Sequence, residues 1–199
     1  MAEPDRRSTL PHSYENAAVI VSGITAGQAG HPTPCPGYDV AGLTGHIVEA
    51  ACRATTLGRG QTPPAGGDSP RVELSGAPAR LRRAAAQAAQ AWGEESRLAS
   101  SFTMPWGESY TGAALVSMYL AELAAHAWDL ARATGQPGRL DPSLAQPALD
   151  GARALIKPGY RDMAGPGSPF GAEVPPPPGA GDWERLAAFT GRDPRASPG

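Results

Sequence analysis

One run decides most of what this chain can become. From Ala113 to Ala133 it reads AALVSMYLAELAAHAWDLARA, its most apolar stretch, yet Glu122, His126 and Asp129 lie inside it. A bilayer-spanning helix would tolerate those three residues poorly. The spacing predicts instead a long helix from Thr111 to Thr134, with Gly135 past its C-cap and Pro137 beyond. Glu122 and His126 are four residues apart and project from one face, shared with Leu115, Tyr119, Leu130 and Ala133; Asp129 sits at its edge. A carboxylate and an imidazole in an apolar stripe are costly to bury unless each has a partner.

The rest of the chain supplies packing partners for that helix. Ala17, Ile20, Val21 and Ile24 mark a first helix over Ser13 to Thr25, stopped by the turn segment GHPTPCPGY. Asp39 is a good N-cap for a second helix, Val40 to about Leu57, with a stripe of Val40, Leu43, Ile47, Ala50, Ala51 and Ala54. Gly58 to Pro70 reads as a surface loop. The Ala-rich stretch from Ala77 to Ser100 reads as a third helix, and MPWGESYTG as an irregular or strand-like link. Asp141 caps a fifth helix, Pro142 to Ile156, with proline in its first turn. Pro158 to Gly181 is Pro/Gly punctuation, followed by a short amphipathic helix, Trp183 to Phe189, that docks back before a disordered tail. No strand series appears. The expected fold is all-α: a four-helix bundle over residues 1–157 with an extra helix, and an irregular C-terminal segment over 158–199 docking on it.

Composition narrows the functions. A formal charge of −2 with 18% charged residues leaves no electrostatic footprint for nucleic acid or an anionic membrane surface. The first residues, MAEPDRRSTLPHS, hold no apolar core of a signal peptide. Cys35 and Cys52 stand in no metal-type or redox-type spacing, so the expectation is a cytoplasmic chain with both thiols reduced. Lys157 is the sole lysine among 17 basic residues, which points to a GC-rich bacterial genome.

Chemistry can only be carried by a few residues. Glu122 and His126 read either as a helix-surface pair or as two ligands of a divalent metal, as in bundle sites built on a Glu-x-x-His pattern. His46 lies at the rim of the second helix's stripe, flanked by Glu49 and Arg53; it is either a half-buried histidine or a third ligand leaving one position open. His12 and His31 read as solvent-exposed. Asp129 reads as support for a ligand histidine or as a partner of Arg132 or Arg53. Arg53 orients a carboxylate or is simply solvated, Trp128 packs on the side opposite His126, Cys35 packs in its turn, and Cys52 is a small buried residue.

Two segments, PTPCPGYDVAGLTGHIVEA and YLAELAAHAWDLARATGQ, resemble the actinobacterial branch of the DinB-like superfamily, which includes the N-terminal domain of mycothiol-dependent maleylpyruvate isomerase. The resembling features are the Cys35-Pro36-Gly37-Tyr38 turn, the Gly45-His46 pair, and Glu122, His126, Trp128, Asp129, Leu130 and Ala131. FGAEVPPPP and ERLAAFTGRDP also look like the C-terminal end of these proteins. Tyr38 stands where tryptophan is usual, and Ala125 and Ala127 where larger residues or glycine are common; none of the three is a ligand position.

The resemblance implies a four-helix bundle binding one divalent metal, most often zinc, through His46, Glu122 and His126. From their positions beside those residues, Arg53 and Asp129 are the expected cofactor-binding residues. The expected activity is that of a metal-dependent transferase or isomerase using a low-molecular-weight thiol, mycothiol by resemblance, in S-transfer or isomerisation of a small electrophile. The chain shows no counterpart of the isomerase's extra C-terminal domain, so maleylpyruvate does not carry over as substrate. A non-catalytic metal or small-ligand binding protein and a metal-dependent hydrolase are the alternative classes. The partners expected are the electrophile and the thiol, with no nucleic acid and no membrane, in a monomer or homodimer.

Overall fold

Three helices begin where a short polar side chain can take an orphan backbone N–H. Asp39 accepts from Gly42 N at 2.8 Å, Thr111 from Ala114 N at 3.1 Å and Asp141 from Ser143 N at 2.9 Å. In the computed structural model, which describes residues 4–63, 71–104, 107–156, 161 and 170–196, these caps open α2 (Val40–Gly58), α5 (Gly112–Ala133) and α6 (Pro142–Leu155). The others are α1 (Thr9–Ser22), α3 (Ala77–Ala91), α4 (Glu95–Ala99) and α7 (Asp182–Phe189). The fold is all-α, as the sequence leads one to expect.

The four long helices α1, α3, α2 and α5 pack side by side in that cyclic order. α6 lies on α5, and α7 on α6 and α5. Packed against α1, α2, α6 and α7, α5 is enclosed on every side, which is why its sequence is apolar nearly all round. Leu115, Leu120, Leu123 and Leu130 are fully buried, each contributing about 1.5–3 kcal/mol. Trp128 is buried on the side away from His126, with the Arg132 guanidinium 5.7 Å from its ring centre. α5 ends in a Schellman motif: Gln136 N reaches Ala131 O at 2.7 Å and Gly135 takes φ 72°.

Three local expectations are corrected, and the strand-like reading of the link before α5 is met. α1 starts at Thr9, so His12 is inside it and pairs with Asp141 at 2.9 Å. The expected third helix is broken after Ala91: buried Trp92 turns into α2, its indole donating to Ala54 O at 3.0 Å, and Gly93 disfavours continuation. The link before α5 is a two-stranded antiparallel hairpin, β1 (Ser101–Thr103) and β2 (Ser109–Thr111), with Phe102 opposite Tyr110 and packed 5.7 Å from Trp92; its Pro105 and Trp106 lie outside the described residues, as do residues 64–70 of the loop after α2. Cys52 is exposed, because it shares the outward face of α2 with Glu49 and Thr56 one turn away on either side. Among the described residues no helix is long and apolar enough to cross a membrane.

Candidate metal centre

The entry to α2 is a tight turn. Tyr38 N donates to Cys35 O, with Pro36 and Gly37 (φ 87°) at the corners, the residue pattern of a type II turn. The Thr33 hydroxyl bonds to the carbonyls of Cys35 and Tyr38 and ties the turn closed. The turn buries Cys35 and lays the Tyr38 ring against the His46 imidazole, centroids 5.2 Å apart. His46 thus leaves α2 with one side of its ring already covered.

Opposite it, α5 presents Glu122 and His126 one turn apart. His46 Nε2 stands 3.3 Å from Glu122 Oε1, and the His46 and His126 rings meet edge to face with centroids 5.0 Å apart. One donor atom from each of the three lies within 4.8 Å of the others. Donors around a tetrahedral zinc are separated by about 3.4 Å, given bonds of ~2.0–2.2 Å, so modest side-chain closure would complete the set. Exposure is graded: the side chains of His46 and Glu122 are 23% and 24% exposed, that of His126 only 2%. The cluster therefore has a dry floor and an open rim.

The floor is a buried hydrogen-bonded chain. His126 Nδ1 lies 3.1 Å from Asp129 Oδ2, and Asp129 is wholly buried. Its carboxylate is gripped by Arg192, Nε to Oδ1 at 3.2 Å and Nη2 to Oδ2 at 2.9 Å. The partner of Asp129 is therefore neither Arg132 nor Arg53 but an arginine 63 residues away, alongside the expected support of His126. Burial resists ionisation of Asp129, yet the Arg192 charge and the bonds from His126 and Arg192 outweigh it and hold the carboxyl below its ordinary range. An ionised carboxylate only accepts, so His126 Nδ1 carries the proton and Nε2 keeps its lone pair. Burial lowers the His126 pKa despite Asp129, favouring the neutral ring. Glu122 is also lowered: burial opposes this, but the His46 hydrogen bond and the electrostatics of His46, His126 and Arg53 prevail. Neutral imidazole and carboxylate are the states a metal requires.

A second group of potential donors, Cys35, His126 and Asp129, also gathers within 4.8 Å. There the cationic place is already filled, since Arg192 binds both oxygens of Asp129 and its side chain also hydrogen-bonds the Cys35 thiol. Burial pushes that thiol up to about 11, far from the thiolate a metal would need. The chemistry of the donors thus favours His46, Glu122 and His126, the histidine-histidine-carboxylate set of catalytic zinc sites with an open fourth position.

Around the rim, Arg53 is bonded to Glu49 one turn earlier, both part exposed. Two phenols, Tyr119 and Tyr14, are buried beside Glu122; burial raises both above their ordinary values, helped by the Glu122 charge at Tyr119 and by Tyr119 and then Glu122 at Tyr14. The Tyr14 hydroxyl has no hydrogen-bond partner among the described residues. Tyr14, Cys35 and Arg192 escape sequence reasoning as site residues. For Tyr14 and Arg192 no short-range spacing signals the role, and only the glycine before Arg192 hints at a turn.

The sequence from residue 10 to 131 matches the family described as the mycothiol maleylpyruvate isomerase N-terminal domain. Two uncharacterized proteins of Mycobacterium tuberculosis, from strains CDC 1551 / Oshkosh and ATCC 25618 / H37Rv, are each 35% identical over 175 residues, 88% of this chain and 91% of the relative. The fold is similar to the crystal structure of mycothiol-dependent maleylpyruvate isomerase, with a TM-score of 0.58 and 16% identity, covering 80% of this chain and 72% of that one. A histidine-to-alanine mutant of that enzyme gives a TM-score of 0.56 at 15% identity, with the same coverage.

Proposed function

The chain belongs to the family of the mycothiol maleylpyruvate isomerase N-terminal domain, and on that premise we propose that it is a metal-dependent transferase or isomerase working with a low-molecular-weight thiol, mycothiol by relationship. His46, Glu122 and His126 would hold one divalent ion, zinc being the expected one. The observation that carries this reading is the gathering of His46, Glu122 and His126 on a dry floor with a half-open rim, Glu122 favoured as carboxylate and His126 as neutral imidazole. A divalent ion there would supply Lewis acidity and bind a thiol as its thiolate, making sulfur nucleophilic toward a small electrophile.

The protein's own residues do the rest. Asp129 fixes the tautomer of His126, and Tyr38 covers one side of His46. Arg53 stands at the rim, where its guanidinium can pair with a carboxylate on thiol or substrate. The unpartnered Tyr14 hydroxyl supports an exogenous acceptor beside Glu122, since a buried donor left unsatisfied costs about 1–3 kcal/mol.

Titrating cobalt-loaded protein with mycothiol tests it. A sulfur-to-cobalt charge-transfer band is expected, absent in His126→Ala. Absence of binding at millimolar thiol, with the metal site intact, would favour the hydrolase or binding-protein classes.

A further inference from the structure

Arg192 lies outside the segment that matches the family, residues 10–131, yet it is among the most buried charges in the molecule, 4% exposed. A buried arginine needs partners for its fixed fork of donors. It has them: both oxygens of Asp129, the Thr190 carbonyl at 2.8 Å, and the Cys35 thiol. Its position is set by the end of α7. Gly191 takes φ 88° past the C-cap Thr190, Gly191 N bonds Ala188 O at 3.1 Å, and Arg192 N bonds Ala187 O at 2.9 Å. That is a Schellman motif, and its second residue beyond the cap is turned back toward the bundle.

We infer that Arg192 is a positioning residue of the metal centre: the C-terminal segment reaches under the bundle, and its guanidinium clamps Asp129 so that Asp129 holds His126 with Nδ1 protonated and Nε2 facing His46 and Glu122. The geometry favours orientation over mere charge balance. Two parallel bonds fix the plane of the carboxylate, and Oδ2, which accepts from Arg192 at 2.9 Å, is the same oxygen that meets His126 at 3.1 Å. Arg192 thereby fills the second group of donors with a permanent cation and leaves the first group for the ion. This rests on the proposed metal site but makes a claim about metal-free protein as well.

The experiment has two arms. In metal-free protein, nitrogen-15 NMR of the imidazoles should show His126 as the single Nδ1-protonated tautomer, and Arg192→Leu should give a mixture. In loaded protein, Arg192→Leu and Asp129→Asn should each weaken metal affinity by about 10–100-fold and shift the cobalt absorption bands. The double variant should lose no more than the worse single one, because both act through one nitrogen. Arg132→Leu, which removes the bond to Ala196 O at 2.7 Å, should change neither readout. Should Arg192→Leu fail to fold, Arg192→Lys decides: it keeps the charge, cannot span both oxygens, and should still lose several-fold in affinity. An unchanged His126 tautomer together with unchanged affinity in either folded variant would overturn the inference. Failure of wild-type protein to bind metal at all would defeat the proposed function instead, leaving the tautomer result to judge Arg192.

Discussion

Replacing Gly191 by alanine should be among the most damaging single-methyl additions in the molecule. Two separate costs meet at this position. With φ at 88° an L side chain collides with its own backbone, which costs about 1–2 kcal/mol. A Cβ there would also stand 2.6 Å from both Gly171 N and Gly171 Cα, closer than real carbons approach, and those atoms are backbone that cannot rotate away. Overpacking of that kind costs about 1–3 kcal/mol. The sum is about 2–5 kcal/mol, and at roughly 2–4 °C per kcal/mol for a chain of this size the melting temperature should fall by about 4–20 °C. Gly135→Ala is the control, because φ is 72° there but nothing lies within 4 Å of the added carbon. It should lose only the dihedral part. Urea unfolding followed by circular dichroism measures both. A loss below about 0.5 kcal/mol for Gly191→Ala, or equal losses for the two, would refute the packing of residues 171 and 191 and with it the path that brings Arg192 inside.

Two further outcomes follow from the electrostatics. At pH 8 native protein should expose one fast thiol, Cys52, to a disulfide reagent, and a second only after unfolding. Burial holds Cys35 protonated up to about pH 11, cutting its thiolate fraction by roughly two orders of magnitude against a free cysteine; two fast thiols in native protein would contradict this. Asp141→Ala should cost about 1 kcal/mol at pH 7 by uncapping α6. The bonds from Ser143 lower the Asp141 pKa from its ordinary 3.8, so its stabilisation is complete above that value and is lost as pH falls through the folded one. The stability gap to wild type should shrink below about pH 4 in urea titrations; a gap unchanged at pH 3 would contradict the assignment.

What was legible in the sequence was local. Asp39 and Asp141 announce their helices because capping is a contact over two or three residues. Glu122 and His126 stand out because one helical turn makes them neighbours and an apolar stripe makes them costly. What stayed hidden depends on distant pairing. Sequence offers Asp129 the cations of Arg132, on its own helix, or Arg53, on the second helix, whereas its partner comes from a glycine-turned segment 63 residues on. Cys35 has only the exposed His31 close to it in sequence, yet the fold sets it among the donors around His126. Helix propensity over the Ala-rich third segment could not foresee that Trp92 gains more by packing against α2 than by continuing its own helix.

In the proposed centre His46, Glu122 and His126 hold one divalent ion. Equilibrium dialysis against zinc with elemental analysis, on wild type and the Glu122→Ala and Cys35→Ala variants, addresses it most directly because each alanine removes a donor from only one of the two groups. One ion per chain is expected in wild type and in Cys35→Ala, and little or none in Glu122→Ala. Full occupancy in Glu122→Ala, with loss in Cys35→Ala, would contradict it and move the ion to the group that Arg192 is argued to fill.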